Sequence, residues 1–140
     1  MESTALNTLI KMHNFTLESQ VKRLAKMRAD HESIERYAHQ LEDELETERV
    51  LASRDPAMSI PFAAYRRAMD EKRENVRQML EGLERDITRT QEGIMDARAE
   101  AERYKLIAKQ RRDVQARQES QREVKRLDEI GLRQFVVPEE

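Results

Sequence analysis

The side chains that could do acid–base or metal chemistry in this chain are three histidines and 28 acidic residues set among 26 basic ones, and their spacing favours neither chemistry. His13 and His31 lie too far apart along one helix to share a metal, and His39 stands alone. Polar layers in a helical seam, or edge positions, account for them better than ligation. Carboxylates abound, but on a solvated pair of helices their desolvation is slight, so no general acid would be tuned toward neutral pH. Neither G-x-x-x-x-G-K-[ST] nor G-x-G-x-x-G occurs, which removes the usual phosphate cradles. With no cysteine there is no disulfide framework and no thiolate metal site. The expectation is a protein that is not an enzyme and holds no cofactor and no metal.

What the residues do specify is a pair of long helices. A 3-4 apolar spacing runs Ile10, His13, Leu17, Gln20, Leu24, Met27, His31, Ile34, Ala38, Leu41 and Leu45. A second runs Met69, Arg73, Val76, Leu80, Leu83, Ile87, Thr90, Ile94, Ala97, Ala101, Tyr104 and Ala108. Each keeps the 3.5-residue mean period that holds a seam against a supercoiling partner. Folding the chain about Ala57 matches the layers one to one: Leu45 with Met69, Ile34 with Leu80, Met27 with Ile87, Leu24 with Thr90, Leu17 with Ala97 and Ile10 with Tyr104. The expected fold class is all-α: a long antiparallel two-helix coiled-coil hairpin with a C-terminal helical overhang, forming a single domain over 1–140.

One break divides the chain. The run Ser53-Arg54-Asp55-Pro56-Ala57-Met58-Ser59-Ile60-Pro61 carries two prolines, each of which removes a backbone donor and crowds the preceding turn. Helix 1 is expected over about 3–53, the turn over 54–60 and helix 2 over about 60–131. Ser59 or Ile60 would cap helix 2, Pro61 would sit in its first turn, and Gly131 would close it in a left-handed cap. A frayed tail would follow over 132–140. At about 1.5 Å per residue, helix 2 then exceeds helix 1 by about 30 Å. Gly82 and Gly93 fall inside helix 2, each costing up to about 1 kcal/mol against alanine.

Beyond Ala108 the seam gives way to Lys109, Gln110, Arg111, Arg112, Asp113, Gln115, Arg117, Gln118, Gln121, Arg122, Lys125 and Arg126, with a thin apolar line at Val114, Val124, Leu127 and Ile130. An unpaired helix of this kind is marginal in water, because packing stabilises most helices. It reads either as a solvated helix end or as a basic tip that docks into another protein. Charge offers a check on the register: Glu42, Asp43, Glu44, Glu46 and Glu48 would lie beside Arg66, Arg67, Lys72 and Arg73, and Lys22, Arg23 and Lys26 near Glu84, Asp86 and Glu92. Overall, 39% charged and 38% hydrophobic residues suit a two-helix seam rather than a thick globular core. The net charge of -2 offers no general attraction to nucleic acid or anionic lipid. The opening Met-Glu-Ser-Thr-Ala-Leu has neither a basic n-region nor a sustained apolar run, and no long apolar run follows. A soluble, unexported protein is expected.

Several segments resemble a known family. Phe15-Thr16-Leu17-Glu18-Ser19-Gln20-Val21-Lys22-Arg23-Leu24-Ala25 near the start is one, and Glu102-Arg103-Tyr104-Lys105 followed by a basic, glutamine-rich run is another. The run ends in Arg126-Leu127-Asp128-Glu129-Ile130-Gly131-Leu132-Arg133. Together with the hairpin pattern they are similar to the flagellar export protein family FliJ, its alphaproteobacterial versions in particular, over nearly the whole chain. The resemblance implies a non-enzymatic, stalk-like coiled coil of the flagellar type III export apparatus. It would insert into the hexameric export ATPase ring and link it to the export gate and export chaperones. It would lie in the cytoplasm at the inner-membrane base of the flagellum, with peripheral membrane association only.

By position, the resemblance places ring contacts at Leu6, Leu9, Arg111, Arg112, Val114, Arg122, Leu127 and Asp128. Gate contacts fall at Phe62, Tyr65 and Met69, with Tyr37 and Leu41 from helix 1. Phe62 and Met69 also fit the seam as core residues. Tyr65 falls off it and reads as an exposed aromatic anchor, which offers large contact area at low entropic cost. Other readings stay open: the injectisome counterpart of the same stalk, or a generic coiled-coil scaffold or dimerisation protein. A nucleic-acid binder using Arg103 to Arg126 ranks last, because aromatics apart from Tyr104 are missing and Asp113, Glu119 and Glu123 dilute the charge.

Overall fold

The protein, seen in a computed structural model, is described over residues 2–136, with side chains over 4–134. Helix α1 spans Glu2–Ser53, a 3-10 turn spans Pro56–Met58, and helix α2 spans Ser59–Val136. No strand occurs among the described residues. The fold is all-α, two long helices joined by a short turn and paired as an antiparallel coiled-coil hairpin.

Asp55, not Ser59 or Ile60, organises the turn. The end of α1 tightens through Arg54 N–H donating to Leu51 C=O at 3.3 Å and Asp55 N–H to Ala52 C=O at 3.4 Å, a common way to use terminal carbonyls. Asp55 is extended (φ -135, ψ 110), and its Oδ1 accepts from Ala57 N–H at 3.0 Å, with Pro56 in the position where a missing N–H costs nothing. Ser59, expected as a cap, is already helical (φ -65, ψ -40) and donates its N–H to Pro56 C=O. The 3-10 turn therefore runs directly into α2, and a local Asp-Pro device does the capping.

At the other end, α2 does not stop at Gly131. The helix continues to Val136, and no glycine among the described residues has a positive φ. Good helix formers on both sides of Gly131 and an empty surround leave it an ordinary helical residue. The expected tail over 132–140 is thus helical through 136, and 137–140 lie outside the described residues.

Contacts gather the chain into two units, Thr16–Asp96 and Met1–Phe15 with Ala97–Glu140. Within Thr16–Asp96 the core is the cluster Leu41, Met69 and Val76, flanked by Ile34, Ala38, Leu45, Tyr65 and Leu80. Every expected seam position in this unit is buried or half-buried except Arg73. Arg73 is exposed because its guanidinium leaves the seam for Glu42, Nε to Oε1 2.6 Å, and for Asp70 at 3.1 Å. Polar seam residues form the soft layers. His31 sets Nε2 3.1 Å from Glu84 Oε1 and Nδ1 3.6 Å from Glu35 Oε1. Gln20 Oε1 is shut off from solvent without a hydrogen-bond partner, a layer that costs stability.

The charge pattern expected across the seam is mostly absent. Among the described residues the cross-helix ion pairs are Arg73–Glu42 and His31–Glu84, while Arg66, Arg67, Lys72, Lys22, Arg23 and Lys26 make none. The other pairs lie within one helix, such as Arg49–Glu46 and Arg77 with Glu74 and Glu81. Long exposed side chains gain as much from a neighbour one turn away as from one across the seam, without the cost of spanning it. Packing of the apolar layers, rather than charge, therefore holds the register.

In the other unit, Leu6 and Ala101 are buried, and Leu9, Ile10, His13, Tyr104, Ile107 and Ala108 are half-buried. His13 lies against Tyr104 with ring centroids 5.0 Å apart and 32° between planes, so this histidine serves a polar-aromatic layer. From Lys109 to Gln134 every side chain is exposed.

Candidate docking surfaces

Two surfaces stand out, one in each unit. The first lies at the turn, where α1, the 3-10 turn and the first turns of α2 leave a cleft of about 270 Å³ lined by Glu48, Leu51, Ala52, Met58, Pro61, Phe62 and Tyr65. That size falls just below the range of cofactor and drug-sized sites, so it suits side chains of a partner rather than a small molecule. Leu51 and Met58 of this lining are exposed, and so is Ile60, at 82%, which precedes Pro61 in the chain. Large apolar groups clustered at a helix turn are the kind of patch that marks a contact.

Tyr65 belongs to this cleft in a way the spacing did not foresee. It is half-buried, packed against the Leu41–Met69–Val76 cluster, with its ring centroid 6.4 Å from that of Phe62. Burial, and then the negative charges of Glu44 and Glu48, push the phenol above its ordinary pKa. The expectation of Tyr65 as a free-standing aromatic off the seam is therefore corrected: one face supports the core and the other lines the cleft. The position flanks the seam, and a large ring there lies over the layer beside it.

The remaining residues expected at the gate separate. Met69 and Leu41 are each 3% exposed and form the core itself, Phe62 is half-buried in the cleft wall, and Tyr37 is exposed on α1. Leu51 at the end of α1, Met58 in the 3-10 turn and Ile60 and Pro61 at the start of α2 were not expected in a contact surface, because they fall outside the two seam spacings. The available signal was the density of apolar residues in Pro56-Ala57-Met58-Ser59-Ile60-Pro61-Phe62, which is unusual for a solvated turn.

The second surface is the unpaired stretch of α2. Of the residues expected at the ATPase ring, Arg111, Arg112, Val114, Arg122, Leu127 and Asp128 are exposed on it. Leu6 and Leu9 pack within their unit instead, Leu6 being 9% exposed. Carrying the 3-4 spacing on from Ala108 shows why pairing ends here. Its next positions are Arg111, Gln115, Gln118, Arg122 and Lys125, which cannot line an apolar seam. Local bonds such as Arg126–Glu123 at 3.0 Å and Gln115–Glu119 at 3.5 Å support the helix by small amounts. Among the described residues no group of histidines and carboxylates could hold a metal, and no helix is long and apolar enough to cross a membrane.

In a comparison with protein families, the family described as Flagellar FliJ protein matches residues 1–140, the whole chain. Neither a curated protein nor a solved structure matches in the corresponding comparisons.

Proposed function

This chain belongs to the flagellar FliJ protein family, and from that premise we propose that it is the stalk of the flagellar export ATPase, coupling the hexameric ring to the export gate and the export chaperones. The family makes it a coiled-coil component associated with the flagellar export apparatus. The finer assignment divides its work between the two surfaces. The exposed stretch from Arg111 through Val114, Arg122, Leu127 and Asp128 enters the ring. The turn-end cleft with Phe62, Tyr65 and exposed Tyr37 meets the gate's cytoplasmic domain. Its place is the cytoplasm at the base of the flagellum, touching the membrane only through the export machinery, and it performs no catalysis of its own.

The observation that carries this reading is the long run of α2, exposed on every side from Lys109 to Gln134, in a chain matched end to end by that family. A helix this solvated gains stability only when something covers it. Truncation after Lys109 tests the reading. Binding to the purified export ATPase and stimulation of its turnover should be lost, while the gate's cytoplasmic domain is still bound. If the truncated chain stimulates the ATPase as the full chain does, the stalk assignment fails. A generic scaffold would show instead a concentration-dependent mass in light scattering and no effect on turnover.

A further inference from the structure

The turn-end cleft is apolar on its floor and acidic on its α1 side. Glu44 and Glu48 are one helical turn apart on α1, Glu48 lines the cleft, and Leu51 and Ala52 continue the same wall. Neighbouring carboxylates are already committed: Glu42 to Arg73 and Glu46 to Arg49, the latter at 2.9 and 2.6 Å. Glu44 and Glu48 form no ion pair among the described residues, although Arg66 and Arg67 directly follow Tyr65 on α2. Glu48 shares the cleft lining with exposed Leu51 and Met58, and Glu44 precedes it by one helical turn, so the site is complementary to an apolar group with positive charge beside it.

We propose that this cleft receives an apolar side chain of a partner protein segment whose flanking lysine or arginine is held by Glu44 and Glu48. The inference rests on the gate-binding reading above and specifies its chemistry: the contacting segment of the gate's cytoplasmic domain carries a large aliphatic or aromatic residue with a cation within one turn of it. Leu51, Met58 and Phe62 take the apolar group. The carboxylates select the cation through charge-assisted bonds and speed the encounter. Burial first, and then the charges of Glu44 and Glu48, hold the phenol of Tyr65, which also lines the cleft, above its ordinary pKa.

The test uses the full chain and the gate's cytoplasmic domain, with binding measured by calorimetry at low and high salt. The E44Q/E48Q variant should bind about tenfold more weakly at low salt, and the gap should close at high salt because exposed charges are then screened. An E18Q/D30N variant, with the same charge change at exposed α1 positions away from the cleft, should bind as the natural chain does. Equal loss in both variants means general steering and overturns the proposal. Unchanged affinity and unchanged salt dependence in E44Q/E48Q overturn it as well, while leaving the gate assignment standing. If the natural chain fails to bind the gate domain at all, that assignment falls and takes this inference with it. Circular dichroism of both variants separates any of these results from misfolding.

Discussion

Ile60 and Met69 are both large aliphatic side chains early in α2, yet one is 82% exposed and the other 3%. Position relative to the seam makes the difference, and it sets opposite expectations for substitution. Met69→Ala should cost about 2 to 5 kcal/mol, since it removes packing from the Leu41–Val76 cluster. Ile60→Ser should stay within about 0.5 kcal/mol. Urea denaturation followed by circular dichroism reads both; equal effects would mean that the core does not lie where these side chains meet. Gly82 offers the reverse case. A Cβ built there meets no atom within 4 Å, so Gly82→Ala should stabilise by up to about 1 kcal/mol through helix propensity alone. Acid behaviour is also local. Hydrogen bonds from Arg77 hold Glu74 below the usual carboxylate value. A depressed carboxylate contributes stability above its unfolded pKa and loses it as pH falls through the folded value. Arg77→Gln should therefore shrink the drop in melting temperature on going from neutral pH into that acid range, modestly because both groups are solvated.

At the scale of elements, α2 divides near Ala108 into a packed part and a part exposed on all sides. Removing everything after Lys109 should leave the melting temperature nearly unchanged, because no buried side chain is lost among the described residues. A large fall would show that the segment packs on its own chain. A peptide covering 109–136 should be largely unfolded by circular dichroism at room temperature, since its local Arg126–Glu123 type bonds are worth only about 0.2 to 0.5 kcal/mol each. The turn behaves differently, being stabilised by its own hydrogen bonds: Asp55→Ala removes the acceptor for Ala57 N–H and should cost about 1 kcal/mol.

For the molecule as a whole, pairing within one chain is the property to test. The register in Thr16–Asp96 is marked by Arg73–Glu42 and His31–Glu84, both consistent with a fold point at the turn. Cysteines at Met27 and Ile87, a buried and a half-buried position that a fold point at Ala57 would set in one layer, should form a disulfide within the monomer. Non-reducing electrophoresis that shows only covalent dimers would mean that the helices pair between molecules.

The class of the fold, the position of the break and the seam were all legible in the order of the residues. Periodic burial repeats over many turns, so the 3-4 spacing from Ile10 to Leu45 and from Met69 to Ala108 accumulates into a strong signal. Only Arg73 departs from it, since its long side chain can satisfy its charge outside the seam. Much of the expected charge pairing did not form, because an exposed cation has many partners of nearly equal energy and sequence alone cannot rank them. The helix runs through Gly131 for a related reason: glycine permits a left-handed cap without requiring one. The turn-end cleft was not legible in that order: it exists only once the helices are packed, with Tyr65 half-buried against the core and Leu51, Met58 and Phe62 lining the same cleft. Apart from Phe62 those residues follow no seam spacing, and their meeting depends on how two helices and a capped Asp-Pro turn converge in space.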